Sequence, residues 1–308
     1  MTLKQDIKDK AFELGFTSCG FAQVEKLDFE KQYLSEWTSK GHHGNKKYLQ
    51  DNIETRTNPE LLLSGAKTVI SLAINYYPGE NLKIKNFKIA KYATGIDYHY
   101  VLKEKLNTLA NFIKNNSNCK AIKVCVDSIP IMERSWAVKA GIGWRGKNNC
   151  IIIKNKGSFF FLSEIITDVE FEYDKPYMDD YCGECRKCIE SCPTNALYDS
   201  YKIDIRNCIS YLTLESDVDN EKNIDKLKKN NNNYIVGCDI CQDVCPWNQY
   251  SSITKIETFS KPYFNPENIN QAFKSKSQFN KFFKSSPILR LGYKKFIAIL
   301  CVKTTEND

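Results

Sequence analysis

The sequence predicts a mixed α/β (α+β) chain in three parts: a layered α/β domain over about residues 1–170, a compact cysteine-rich module over 171–255, and a short helical segment over 256–308. Three observations predict it. Apolar, β-branched runs alternate with amphipathic helical patterns through the first half. Eight of the 13 cysteines fall between Cys182 and Cys245. The remainder carries patchy helical periodicity, ending in the apolar run Pro287–Cys301, with no internal repeat.

The elements follow in order. Leu3, Ile7, Ala11 and Leu14 share one helical face, and Gly15 stops the helix. Ser18–Val24 reads as a short strand, and a second helix runs from Asp28 to Ser39 before Gly41-His-His-Gly44. Asn58-Pro59 opens a short helix, with Asn as cap and Pro in the first turn. Thr68–Asn75 is a continuous apolar run, the pattern of a strand buried on both faces. Asp97 caps a long helix from Tyr98 to about Lys114, whose core face is Leu102, Leu106, Leu109 and Ile113. Ala121–Val126 is the next strand, and a helix spans about Ile131 to Ala140. After the glycine-rich turn Gly141–Asn148, Cys150–Ile153 and Phe159–Leu162 read as a hairpin. Asp217–Asn233, rich in Asn and Lys, reads as a mobile surface loop or a loosely packed helix.

The cysteines carry the most specific chemistry. Cys182, Cys185, Cys188 and Cys192-Pro193 form C-x2-C-x2-C-x3-C-P, the ferredoxin spacing. Cys238, Cys241 and Cys245-Pro246 form a variant of it, and Cys208 lies between the two runs. Three thiolates on one tight loop cap three irons of a cube, while the cysteine before Pro leaves toward the other cube. This assigns Cys182, Cys185, Cys188 and Cys245 to one [4Fe-4S] cluster, and Cys192, Cys208, Cys238 and Cys241 to a second, in a ferredoxin-like module. Paired C-x2-C also fits zinc, though three closely spaced cysteines followed by C-P fit iron–sulfur better.

Composition sets bounds. The chain has 308 residues, 42% hydrophobic and 26% charged, as in ordinary globular proteins. It begins with a polar, amphipathic stretch and holds no apolar run of membrane-spanning length, so a cytoplasmic, non-membrane protein is expected. A net charge of +7 permits a polyanionic partner, and a Lys/Asn/Ile-rich composition accounts for it equally well. Three histidines are too few for a His-rich metal site.

Asp127 follows a strand and precedes Pro130, a usual place for a functional carboxyl in α/β folds. It reads either as a helix N-cap or as a proton donor, the latter if burial raises its pKa. Gly141-Ile-Gly-Trp-Arg-Gly has dinucleotide-motif spacing but follows a helix and precedes a strand, so it is read as tight backbone packing.

Several strings now agree: Asp97-Tyr-His99, Val126-Asp127-Ser-Ile-Pro130, Ala140–Asn148, Cys208–Thr213 and Gly237–Asn248. With the cysteine order they make the chain resemble the epoxyqueuosine reductases over about residues 1–300. That resemblance implies a nitroreductase-like cobalamin domain related to the reductive dehalogenases, ahead of the double-cluster module. It implies reduction of epoxyqueuosine to queuosine at the tRNA wobble position, with cobalamin refilled by the clusters from a low-potential donor of ferredoxin or flavodoxin type. It favours Asp127 as the proton donor. It implies Arg56, Lys147, Asn148, Ser210 and Asp239 as cobalamin contacts. Asp97-Tyr-His-Tyr-Val-Leu102 lacks the glycine of D-x-H-x-x-G, so base-off cobalamin is expected and His99 is expected to support its helix. Many members carry a HEAT-like extension, for which this chain has little room, so a monomer gripping tRNA with its core domains is expected. Trp144, Tyr211 and Trp247 are candidate base-stacking walls, and the lysines of 222–229 and 274–295 candidate phosphate contacts. The alternatives are a dehalogenase-like cobalamin reductase and a two-cluster electron carrier.

Overall fold

The computed structural model describes residues 2–229 and 233–304. The first half contains α1 (Leu3–Glu13), β1 (Ser18–Gln23), α2 (Asp28–Ser39), α3 (Lys47–Asp51), α4 (Ile53–Thr57) and β2 (Thr68–Asn75). It continues with β3 (Leu82–Ile84), β4 (Phe87–Ile89), α5 (Tyr98–Asn116), β5 (Ile122–Cys125), α6 (Glu133–Lys139), β6 (Trp144–Arg145), β7 (Ile151–Ile152) and β8 (Phe160–Thr167).

The organising sheet has the order β1-β2-β8-β5 and is antiparallel throughout. β2 and β8 pair over their full length, from Thr68 opposite Thr167 to Asn75 opposite Phe160. Helices cover both faces, which is why Thr68–Ile74 is buried without alternation. On one face Ile70, Leu72 and Ile165 meet Ile7 of α1 and Leu102, Leu106 and Leu109 of α5. On the other, Val69, Ala73 and Ile166 meet Trp136, Ala137 and Ala140 of α6. The α5 stripe and the Asp97 cap are as expected, the Asp97 carboxylate accepting the His99 N–H at 3.1 Å.

Two expectations are corrected. Phe159–Leu162 does not pair with Cys150–Ile153; β7 pairs with β6, and β8 is a central strand between β2 and β5. The Phe-rich run extends eight residues, and a strand of that length buries more apolar surface between two long neighbours than in a short hairpin. The helix after Asp127 begins at Glu133 behind Met132, so Asp127 does not cap it.

The rest comprises α7 (Lys187–Glu190), the hairpin β9 (Leu197–Asp199) and β10 (Lys202–Ile203), α8 (Ile209–Leu214), α9 (Glu221–Lys228), β11 (Tyr234–Val236) and α10 (Ile240–Asp243), then α11 (Glu257–Ser260), α12 (Lys276–Phe282) and α13 (Tyr293–Thr304). Within Asp217–Asn233 the structure forms a helix, α9, capped by Asn220 and anchored by buried Leu227; residues 230–232 lie outside the described residues. β3 and β4 leave the main sheet and join β11. Ile84, Phe87 and Ile89 pack with Phe279, Phe283 and Phe296 of the C-terminal helical region, so the first and last parts of the chain share a core.

α6 carries one wall of the site described below, and it lies hard against β1. A Cβ on Gly20 would fall 1.9 Å from the Ala140 carbonyl oxygen. Gly20→Ala is therefore expected to destabilise the fold by about 1–3 kcal/mol through overpacking, read as a lowered denaturation midpoint.

Candidate active site and cluster-binding loops

The two cysteine runs fold as short loop–helix turns whose helices, α7 and α10, pack together. Cys182, Cys185, Cys188 and Cys245 line one cavity of about 290 Å³. Cys188 feels the charges of Cys245, Cys182 and Cys185. Cys238 feels Cys208 and Cys192, and Cys241 feels Cys150 first, then Cys208, Cys238 and Cys188. Among the described residues no three of these side chains stand close enough to hold a single metal ion as they are. All are free cysteines. Burial without counter-charge pushes Cys188 up to about 11 and Cys238 up to about 12. Backbone N–H groups point at these sulfurs: those of Tyr211 and Ser210 at Cys208, and those of Trp247 and Asn248 at Cys245. Such donors set a cluster's potential. A thiol-lined cavity ringed by N–H donors fits an iron–sulfur cube.

A second cavity, of about 250 Å³, opens where β8, α5 and α6 meet α10. Tyr98, Asp127, Glu133, Asn149, Phe161 and Gln242 are among its walls. The Tyr98 ring stacks on Phe161 at 4.2 Å. Asp127 holds a positive φ of 41°, an uncommon conformation for a non-glycine residue. Its N–H donates to Glu133 Oε1 at 2.9 Å. Its Oδ2 accepts the Tyr98 hydroxyl at 3.0 Å and lies 3.0 Å from His99 Nε2. His99 Nδ1 lies 2.7 Å from Asp97 Oδ1, and Asp97 Oδ2 accepts Arg290 Nε–H at 2.9 Å. The result is a chain of alternating charge: Arg290, Asp97, His99, Asp127.

This chain corrects the expected route to acidity at Asp127. Hydrogen bonding to His99 outweighs burial and holds the Asp127 carboxyl below its ordinary range. Burial opposes charge on His99, yet its bonds to Asp127 and Asp97 raise it to about 9. The proton of this unit rests on the imidazole and Asp127 is ionised. His99 supports its helix as expected, and it also reaches the cavity.

The other expected contacts divide. Arg56 is buried, stacks over Tyr48 at 5.5 Å and feels Asp127 and Glu133. Its Nε and the Nδ2 of cavity-lining Asn149 are buried and find no hydrogen-bond partner among the described residues. Two orphaned donors beside a cavity suit a ligand rich in carbonyl or phosphate oxygens, as cobalamin is. Lys147 and Asn148 line the cluster cavity instead, and Asn148 Nδ2 donates to the Cys241 carbonyl at 3.1 Å. Ser210 sits in the first turn of α8 beside Cys208. Asp239 is buried, its Oδ2 accepting Lys91 N–H at 2.8 Å and Asn81 Nδ2 at 2.6 Å. Of the candidate walls, Trp144 and Trp247 pack edge to face at 4.9 Å, Trp247 at the cluster cavity, and Tyr211 is buried with its hydroxyl on Asn45 at 2.6 Å. Tyr98, Glu133, Asn149 and Gln242 were not picked out as site residues in the sequence; only the neighbouring Asp127 and Asn148 marked two of their loops.

Two family models match the chain. One, described as Epoxyqueuosine reductase QueG, DUF1730, covers residues 56–128. The other, described as 4Fe-4S double cluster binding domain, covers residues 181–248. A curated epoxyqueuosine reductase of Cyclobacterium marinum is 44% identical over 294 residues, 95% of this chain and 94% of the relative. That of Escherichia coli K12 is 37% identical over 97% of this chain and 80% of the relative. The crystal structure of an epoxyqueuosine reductase with an epoxyqueuosine-modified tRNA-Tyr stem loop matches with a TM-score of 0.88 at 29% identity, over 99% of this chain and 81% of that one.

The Asp97–His99–Asp127 unit carries its own pH signature. A histidine raised from 6.5 to about 9 contributes stability that is complete below 6.5 and lost as pH climbs through about 9. Across that window the unfolding midpoint is expected to fall, and in His99→Gln this slope is expected to vanish.

Proposed function

This chain belongs to the epoxyqueuosine reductase family, and on that premise we propose that it reduces epoxyqueuosine to queuosine in tRNA, the last step of queuosine biosynthesis. The observation that carries the reading is the Asp127 cavity set directly against the thiol-lined loops of a double-cluster domain. Cys150 forms part of the cavity wall and feels the charges of Cys245 and Cys188, so the two sites share a wall.

Converting an epoxide to an alkene breaks two C–O bonds, consumes two electrons and two protons, and releases water. The double-cluster module binds two [4Fe-4S] clusters. We assign Cys182, Cys185, Cys188 and Cys245 to one and Cys192, Cys208, Cys238 and Cys241 to the other. Cobalamin in base-off form, seated over the mouth of the Asp127 cavity, would supply the strongly reducing centre. Arg56 and Asn149 would hold its polar periphery with their unpartnered donors. Lys147, Asn148, Ser210 and Asp239, set around the cluster loops, would fix those loops and shield their sulfurs. His99 holds a proton at Nε2, 3.0 Å from Asp127 Oδ2, and Asp127 passes it to the substrate oxygen. Tyr98 and the strained backbone at Asp127 keep that carboxylate aimed into the cavity.

Electrons would come from a soluble low-potential donor of ferredoxin or flavodoxin type, and the enzyme would act as a cytoplasmic monomer. Among the described residues no helix is long and apolar enough to cross a membrane. The partner is tRNA, in keeping with the stem-loop complex formed by the relative.

Anaerobic incubation with epoxyqueuosine-containing tRNA, cobalamin and a strong reductant is expected to yield queuosine on nucleoside analysis; unchanged tRNA overturns the reading. The reconstituted protein should hold about eight irons. Cys188→Ala and Cys241→Ala should each remove about half of them. Asp127→Asn should keep the iron and lose turnover by about 10²–10⁴-fold.

A further inference from the structure

We propose that Glu133 is the second proton donor of the reaction, standing in the cavity wall beside Asp127. The inference rests on the reaction proposed above, which needs two protons where the His99–Asp127 pair accounts for one.

The geometry starts at α6. Glu133 heads that helix, its carboxyl lines the cavity, and its Oε1 takes the Asp127 N–H at 2.9 Å. That bond fixes Glu133 to the loop that presents Asp127. Behind it, Glu164 sits mid-strand in β8, level with Ser71 of β2 and Cys125 of β5. Glu164 is 0% exposed, with the Ser71 hydroxyl of the facing strand beside it. One hydroxyl is too little to keep a carboxylate ionised in so dry a place. Burial accordingly pushes Glu164 well above the ordinary carboxylate range, and Glu133 raises it further. The two carboxyls influence each other, so they cannot readily both be charged.

The groups facing Glu133 come from every neighbouring element. Asp127 raises its pKa and Arg134 and Arg56 lower it, while Tyr98 and Cys125 also feel its charge. Burial dominates, and the carboxyl is raised from the ordinary 4.5 to about 7. A group that is part neutral at neutral pH is well matched to proton delivery. The cavity then holds two acids of unlike origin: an imidazolium acting through an ionised Asp127, and a neutral carboxylic acid.

The step balances as follows. Two electrons arrive from the iron–sulfur donor chain. The first C–O bond breaks and the freed oxygen takes the proton relayed from His99 through Asp127. As the second C–O bond breaks and the alkene forms, Glu133 gives its proton to the departing hydroxyl. Water leaves, and Glu133 remains as a carboxylate until solvent reprotonates it.

Two measurements on the holoenzyme test this. In infrared pH titration without substrate, wild type should show a protonated-carboxyl band lost with a midpoint near 7, absent in Glu133→Gln. With epoxyqueuosine-containing tRNA, Glu133→Gln should keep its iron and KM, lose kcat by about a hundredfold, and lose the limb of the wild-type pH profile near 7 while keeping the fall near 9 that His99 sets. Should Glu133→Gln misfold, Glu133→Asp, which draws the acid one methylene back from the cavity, must lower kcat while keeping iron and KM. Wild-type turnover with an unchanged limb in the variants overturns the role of Glu133. A wild type that titrates as expected yet leaves epoxyqueuosine intact overturns the reaction itself, and with it the donor.

Discussion

The relation between the clusters and the cavity depends on one buried ionic contact. Lys91, 5% exposed, reaches Asp243 Oδ1 at 2.5 Å and lies 3.9 Å from Asp239 Oδ2. Both aspartates belong to the loop that carries Cys238, Cys241 and Cys245, whereas Lys91 follows β4 in the first half of the chain. Asn81 completes the knot, donating to Asp239 and accepting from Lys91 Nζ at 3.1 Å. Lys91 and Asp239 are the buried pair and Asp243 is 38% exposed, so it is removing Lys91 or Asp239 that strands a buried charge, at a cost of about 3–5 kcal/mol. Weaker ties finish the alignment: Gln242 Nε2 donates to the Ser158 carbonyl at 3.1 Å, and Asn248 Oδ1 accepts the Ser158 N–H at 2.7 Å. Electron transfer tolerates little change of distance, so a loop bearing cluster ligands beside a reactive cavity is better pinned by directional polar contacts than by sliding apolar ones.

How much of this was legible in the sequence follows from sequence separation. The two cysteine runs were, because C-x2-C-x2-C-x3-C-P is a local geometry that a tight loop enforces by itself; which four thiols share a cube is not local, since Cys245 lies far along the chain from Cys188. So were α5 with its Asp97 cap and the fully buried β2, since period and capping are local. The hairpin at 150–162 failed because Phe159–Leu162 is only the start of a strand whose partners lie about 40 and 90 residues away. The cavity was only half legible. Asp127 stood out by its place after a strand, but Glu133 looked like an ordinary helix residue. Nothing local in Ser163-Glu164-Ile165 says that the carboxyl points into a layer closed by α6. Asp239 is held by Asn81 and Lys91, which lie about 150 residues earlier, so nothing local in the sequence shows its partners.

The same physical cause, burial, produces three chemically different states within this small region, and the difference lies in what accompanies it. At Asp97, His99 and Asp127 the chain lines up charge in alternating sign, buried at Asp97 and open to solvent at Asp127, so each member stabilises its neighbours' ionised forms. At Glu133 and Glu164 it buries two groups of like sign, and the pair relieves itself by keeping a proton. At Cys182, Cys188, Cys208, Cys238, Cys241 and Cys245 it covers thiols mostly without counter-charge, and burial pushes them up, so a cation must displace their protons. Each arrangement stores protons or electrons at the place where an epoxide reduction consumes them.

The strained backbone at Asp127 joins the first two arrangements. A non-glycine residue at φ 41° costs of order 1–3 kcal/mol and persists only where the surroundings over-determine it. Here Tyr98 and His99 hold the side chain while Glu133 holds the N–H. The loop is therefore fixed from both sides by the groups that would move the two protons. Ionising Glu133 strengthens its grip on the Asp127 N–H, since a carboxylate is the better acceptor. Protonating it loosens that grip. Proton delivery at one acid thereby alters how tightly the other is held, and the two transfers are coupled through a single backbone amide.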